Sequence, residues 1–360
     1  MSQVPHSAEV IDLDAARRSG AAGAGRIRCT AEITTGTRCR NYAGPSGLCR
    51  VHEPEPGEAP SQAHPAAAQA PAPLVEPPLA LPSPDDAIAA ALAFLRRRLT
   101  GEYDVDLYGF DRELTEQVLL PLARPLYQHY WRVRTVGMEH VPADSGALIV
   151  ANHAGTVPFD AIMTKVALLD EHPSHRHLRE LAADLALRVP IVGPLARKTG
   201  NTLAHEDDAR RLLNDGELVG VWPEGFKGIG KLYRDRYKLQ RFGRGGFVSV
   251  ALRAQVPIIP VAIIGAEEIY PMIANVQFLA RLFGFPYFPI TAQFPLLGPL
   301  GLIPLPSKWV IDFGEPIDTT PYGPEAADDP MLVFELTDRV RDTIQQMLYR
   351  NLMGRRSIFF

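Results

Sequence analysis

Cysteine is scarce in this chain: three in 360 residues, all before residue 50. An odd count in so long a chain excludes a dense disulfide framework. The first residues are polar and mixed in charge and lack the apolar segment of a secretory signal, so a cytoplasmic protein is expected. Long uninterrupted apolar runs are also missing. The best candidate for a membrane span, Leu282 to Ser307, has no charged residue, but prolines at 286, 289, 295, 299, 304 and 306 would break a spanning helix. With a net charge of −4, no overall positive field points to nucleic acid. No G-x-S-x-G elbow occurs, so a serine nucleophile of that kind is excluded. What is present is a chain 46% hydrophobic, enough for one large core.

The cysteines themselves form a pattern. Cys29, Cys39, Cys49 and His52 follow C-x9-C-x9-C-x2-H. Three thiolates and an imidazole are a ligand set for structural Zn2+, and the closing Cys-x2-His lets one turn supply two ligands. The alternative is three unrelated cytosolic thiols. Residues 27–53 therefore read as a small zinc-like module, preceded by a disordered arm, 1–26. From Glu53 to Pro84 the chain holds ten of its 33 prolines and few large apolar residues, so 54–84 reads as a Pro/Ala-rich linker. The folded domain is expected over 85–360.

Ser83-Pro84-Asp85-Asp86 is a helix start, with a hydroxyl cap, an early proline and acids against the helix dipole. Ile88, Leu92, Leu95 and Leu99 then recur on one helix face. A second helical stretch, Leu114 to Gln128, carries Pro121 and Pro125. Beyond it, apolar strands alternate with helices. Strands are predicted at Trp131–Val136, Ala147–Ala151, Glu180–Ala183, Glu217–Trp222, Ile258–Ile264 and Trp309–Phe313. Helices are predicted at Phe159–Leu169, His205–Asn214, Gly246–Arg253 and Pro330–Leu352. The alternation implies an α/β sheet covered on its faces.

Two loops carry the chemistry. His153 follows the Ala147–Ala151 strand, at the carboxyl edge where open α/β sheets place their sites. Asp160, after Pro158, is placed to hold one imidazole nitrogen and raise the basicity of the other. The second loop is Pro223-Glu224-Gly225-Phe226-Lys227, again after a strand. Lys227 opens a basic run with Lys231, Arg234, Arg236, Lys238, Arg241 and Arg244 against the single acid Asp235. Charge clustered in this way faces an anion, and Gly243-Arg244-Gly245-Gly246 leads into a helix N-terminus suited to phosphate. Glu267-Glu268, after the Ile258–Ile264 strand, are further candidates to line the site. His172, His175 and His177 are expected in a solvated loop.

These motifs resemble those of the glycerolipid acyltransferase family, which includes the lysophosphatidic acid acyltransferases. That family carries N-H-x4-D, then F-P-E-G-[ST]-R, then V-P-[IV]-[IV]-P-[VT]. The chain offers Asn152-His153 with Asp160, then Trp222-Pro223-Glu224-Gly225-Phe226-Lys227, then Val256-Pro257-Ile258-Ile259-Pro260-Val261. The resemblance covers roughly 130 to 315. It implies a mixed central sheet flanked by helices, His153 as base, Asp160 as its partner, and Pro223, Glu224 and Gly225 at the acceptor pocket. Lys227, Arg241 and Arg244 would then meet the substrate, Lys227 standing where the family has a phosphate-binding arginine. The His–Asp spacing is x6, and Lys227 lacks the bidentate fork of arginine. Gly200-Asn201-Thr202-Leu203 stands near the family's intermediate motif but without its arginine.

The resemblance implies transfer of an acyl group from acyl-CoA or acyl-carrier protein to a glycerolipid hydroxyl, a lysophospholipid or a neutral mono- or diacylglycerol. Two other classes stay open: a hydrolase of acyl esters, and a non-catalytic lipid-binding or regulatory protein. Leu282–Ser307 reads as an apolar flap that meets the bilayer or holds the acyl chain, or as a buried loop. The expected setting is the inner face of the cell membrane, as a peripheral protein, with no nucleic-acid role for the catalytic domain.

Overall fold

The computed structural model describes residues 84–243 and 245–359. The arm, the proposed ligands Cys29, Cys39, Cys49 and His52, most of the linker, and Arg244 lie outside the described residues.

Among the described residues nine strands form two sheets: β1 (Arg134–Val136), β2 (Ala147–Ala151), β3 (Leu178–Ala182), β4 (Thr202–Leu203), β5 (Leu218–Val221), β6 (Ile258–Ile264), β7 (Met272–Asn275), β8 (Pro289–Thr291) and β9 (Val310–Phe313). The main sheet has the order β1-β9-β6-β2-β5-β3-β4, and β7 pairs with β8 alone. Pairing is parallel from β6 through β4 and antiparallel only between β6 and β9, so the sheet is mixed. The long helices are α1 (Pro84–Thr100), α2 (Phe159–Glu171), α3 (Glu206–Asn214), α4 (Gly246–Ala254) and α5 (Pro330–Gly354).

Both faces of the central strands are covered, as continuous apolar strands require. Every residue of β2 and β6 is buried. Along β2 the side chains alternate between two cores. Ile149 and Ala151 join Met163 and Val166 of α2 with Trp131 and Trp309; Leu148 and Val150 join Leu212, Val248 and Leu336 from α3, α4 and α5. The chain leaves β2 through α2 toward β3 and returns from β5 through α4 to β6. These connections diverge at β2, so its carboxyl end opens a crevice beside those of β5 and β6.

The expected elements differ from the observed ones mainly at their ends. The first strand was expected from Trp131, but the helical run 112–130, with π-turns at Thr115–Leu119 and Leu126–Tyr130, ends only there. Trp131 instead stacks on Trp309 with ring centroids 4.8 Å apart and is fully buried. Within Leu282–Ser307, the segment read as a flap or buried loop, lie β8, which pairs with β7 before it, and a 3-10 turn at Gly298–Leu302. The histidine loop is solvated only in part: Pro173, Ser174 and His175 are exposed, with His175 meeting Leu169 O, whereas His172 is buried against Val141 O and the half-buried His177 meets Glu116. Among the described residues no helix is long and apolar enough to cross a membrane, and no group of His, Cys, Asp or Glu is gathered to hold a metal.

Candidate active site

The base loop begins where β2 runs out of strand partners. Asn152, fully buried, donates Nδ2 to Ile263 O at 3.0 Å and accepts from Ile263 N at 2.7 Å. Its side chain thus extends the pairing with β6 by one residue and pins the backbone just before His153. The loop then turns through Gly155 at φ +79°, where a Cβ would come within 2.8 Å of Ala266 O. That left-handed, tightly packed turn requires glycine.

Asp160 sits in the first turn of α2 and is fully buried. Its Oδ2 accepts from His153 Nδ1 at 2.8 Å and from Ala154 N at 2.8 Å, and its Oδ1 accepts from Ala161 N at 2.9 Å. An ionised carboxylate only accepts, so Nδ1 carries the proton and Nε2 keeps its lone pair. The tautomer is assigned here by the bonding pattern. The His153 side chain is 14% exposed, and its ring lies 6.0 Å from that of Trp222.

The second loop locks onto the first from below. Glu224 Oε1 accepts from His153 N at 2.9 Å, and Oε2 accepts from Gln240 N at 2.6 Å. Gly225 makes the turn at φ +54°, ψ −143°, a conformation open to glycine. At Gly228 a Cβ would lie 2.8 Å from both Glu224 Cβ and His153 O, and 2.9 Å from His153 Cβ. The two motifs therefore touch backbone to backbone, and only glycine at 228 allows it.

Lys231, expected in an anion-facing run, points inward. Its side chain is 4% exposed, with Nζ 3.4 Å from Glu224 Oε2 and 3.1 Å from Glu267 Oε1. Glu267 Oε2 accepts from Tyr237 N at 3.0 Å. Burial pushes Glu267 up to about 7, opposed by Lys231 and reinforced by the Glu224 charge. Glu268 takes no part in this cluster and pairs with Arg355 instead. Sequence reading identified Glu224 and raised Glu267, but missed Gly228, the inward turn of Lys231 and the role of Asn152. A lysine flanked by glycine and leucine (Gly230-Lys231-Leu232) was the available signal for burial.

Beside these loops lies a cleft of about 360 Å³. Lys227, Lys231, Asp235, Gln240 and Tyr287 contribute to its wall. Tyr287 reaches from the apolar segment and donates its hydroxyl to Thr156 O at 2.6 Å, tying that wall to the base loop. Burial, and then the Asp160 charge, push its phenol up to about 12. Lys227 is exposed on the short helix Phe226–Ile229, and Pro223 is half-buried. Arg241 is exposed and does not line the cleft. The rest of the basic run is dispersed: Arg234 and Lys238 both meet Asp235, and Arg236 lies over the Tyr233 ring. Asn201, in the stretch corresponding to the intermediate motif, bonds Glu180 and Lys165 within the fold.

A histidine whose Nε2 keeps its lone pair, with a buried carboxylate behind it, can abstract a proton from a hydroxyl brought to that nitrogen. A family model described as Acyltransferase matches residues 132–264, a span that includes all of these loop residues except Glu267, Glu268 and Tyr287. An uncharacterized protein of Mycobacterium tuberculosis is 60% identical over 273 residues, covering 76% of each chain. A "DGAT1/2-independent enzyme synthesizing storage lipids" from Homo sapiens is 25% identical over 217 residues, covering 59% of each chain. Among solved structures, the 1-acyl-sn-glycerophosphate (LPA) acyltransferase PlsC of Thermotoga maritima is similar with a TM-score of 0.44 and 19% identity, over 75% of this chain and 90% of that one. Residues 132–264 thus form an acyltransferase domain, and the chain is an O-acyltransferase.

Proposed function

We propose that the protein moves a fatty acyl group from a thioester, acyl-CoA or acyl-carrier protein, to the hydroxyl of a neutral glyceride. His153 Nε2 takes the hydroxyl proton as the oxygen attacks the thioester carbonyl. Asp160 stabilises the imidazolium that forms. The carbon–sulfur bond then breaks, and the departing thiolate takes the proton back from Nε2, leaving an ester and a free thiol. No covalent enzyme intermediate is needed.

The observation that carries this reading is the buried Asp160 bonded to His153 Nδ1 at 2.8 Å. The neutral acceptor is supported by the charges of the cleft. Lys231, buried in that wall, is held by Glu224 and Glu267 and is not free to meet a phosphate. Lys227 stands in the same wall as a single exposed ammonium, without the bidentate fork with which arginine holds phosphate. The printed activity of the human relative, synthesis of storage lipids, is consistent with such an acceptor. The second reading, a lysophospholipid acceptor, is favoured by the exposed Lys227 in the cleft wall.

Incubation with acyl-CoA and a panel of mono- and diacylglycerol, lysophosphatidic acid and glycerol 3-phosphate tests both. Neutral glyceride products are expected. A preference for lysophosphatidic acid would reverse the acceptor assignment, and free fatty acid alone would indicate a hydrolase.

A membrane surface is the proposed workplace. Leu296 (85% exposed), Leu297, Leu300, Leu302 and Ile303 are held out from the fold, as are Phe278 and Leu282. Ile88, Leu92, Leu95 and Leu99 of α1 are also exposed, while Arg97 and Arg98 anchor that helix to Glu113 and Asp111. Apolar surface of this extent favours contact with lipid. The N-terminal module is proposed to hold structural zinc through Cys29, Cys39, Cys49 and His52. Metal content that survives Cys29→Ser unchanged would remove that assignment.

A further inference from the structure

The end of the chain folds back along β9. Ile358 O accepts from Lys308 N at 2.8 Å, and Phe359 O accepts from Arg132 at 2.9 Å. This return brings Arg355, Arg356 and Ser357 around a cavity of about 400 Å³ shared with Arg236, Tyr237 and Glu268. The cavity has no lining residue in common with the cleft beside His153.

Its wall carries three guanidiniums and one carboxylate, so positive charge exceeds negative by two. The one carboxylate, Glu268, is already bonded through Oε1 to Arg355 Nη1 at 2.6 Å. Arg355 Nη2 is held by Lys308 O at 2.7 Å. The Arg355 side chain is only 10% exposed, yet its Nε has no hydrogen-bond partner; Glu268, at 2%, likewise has no partner for Oε2. Those two atoms lie beneath the surface, so what the wall presents to the cavity is its charge surplus, carried by Arg236 and Arg356. A phosphate monoester answers that surplus, since it brings negative charge and acceptor oxygens for guanidinium.

We propose that the cavity walled by Arg236, Arg355 and Arg356 binds a phosphomonoester. Two sources have this chemistry: the 3′-phosphate of coenzyme A, and a glycerol phosphate headgroup. The assignment is independent of acyl transfer, because binding can be read on full-length His153→Ala protein, which cannot turn over by the proposed route.

The test is calorimetric titration of that protein with inorganic phosphate, adenosine 3′,5′-bisphosphate, coenzyme A, 3′-dephospho-coenzyme A and glycerol 3-phosphate. Saturable binding of inorganic phosphate is expected, weakened at least about tenfold by Arg236→Gln with Arg356→Gln. Both residues lie outside the base cluster, and Arg355 is left in place because it anchors the tail. Coenzyme A binding tighter than its dephospho form, with that difference lost in the double variant, assigns the cavity to the acyl donor. Glycerol 3-phosphate binding tighter than the nucleotides, lost in the same variant, assigns it to a lipid headgroup. Absence of saturable phosphate binding, or binding that the double variant leaves unchanged, overturns the proposal.

Discussion

The carboxyl ends of β2, β5 and β6 and the segment from Phe278 to Ile303 are neighbours built on opposite plans. In the first, polar side chains point inward and answer one another: Asp160 to His153, Glu224 to His153 and Gln240, Lys231 to Glu224 and Glu267. In the second, Phe278, Leu282, Leu296, Leu297, Leu300, Leu302 and Ile303 are exposed. One region spends its chemistry on internal geometry, and the other leaves its chemistry for something outside. Tyr287 joins them through its bond to Thr156 O.

The sharpest break in that contrast is at the base. His153→Ala should lower kcat/KM by about 10³-fold or more, and Asp160→Asn by about 10²-fold, with the fold retained by circular dichroism. Near-normal turnover in either variant would remove the base assignment. Next comes the inward cation. Lys231→Met leaves Glu224 and Glu267 buried without their counter-charge and should cost about 3–5 kcal/mol in urea unfolding. Were Lys231 a substrate contact instead, stability would hold and only KM would rise.

The outward region should respond in the reverse sense. Leu296→Asp with Leu297→Asp should release the protein from phosphatidylcholine vesicles in flotation, while turnover of a water-soluble short-chain acceptor stays within about twofold. Unchanged flotation would count against lipid contact through this segment.

The smallest effect concerns pH. Glu267 titrates near 7 in the fold against an ordinary value of 4.5, so the folded state binds the extra proton between those limits. Its contribution to stability is therefore fully present below the unfolded value and is lost as pH rises through about 7. In Glu267→Gln the fall in urea midpoint between pH 5 and 8 should be shallower than in the parent. An equal slope would show that the carboxyl does not titrate there.

Much of the inward region was legible because its signals are local. An apolar strand ending in Asn152-His153, and another ending in Pro223-Glu224-Gly225, place loops at one sheet edge whatever the rest of the chain does. The sheet's strands were visible for the same reason, since residues buried on both faces must be continuously apolar. What could not be read was long-range pairing. Lys231 looks like its basic neighbours until β6 delivers Glu267 to it. Arg236 and Arg355 are separated by more than a hundred residues, and no local pattern joins them. Trp131 has strand-like neighbours, but stacking on Trp309 and the end of the helical run decide its conformation.

Gly228 bears on how this enzyme could be redesigned. A library that aims to change acceptor choice would naturally randomise the turn facing the cleft. Phe226 and Lys227 are exposed there and line the cleft, so changes in their size or charge fall on the cleft and solvent. Position 228 cannot, since any side chain would push the Glu224 turn off the histidine backbone. New selectivity is therefore to be sought on either side of a residue that must be left alone.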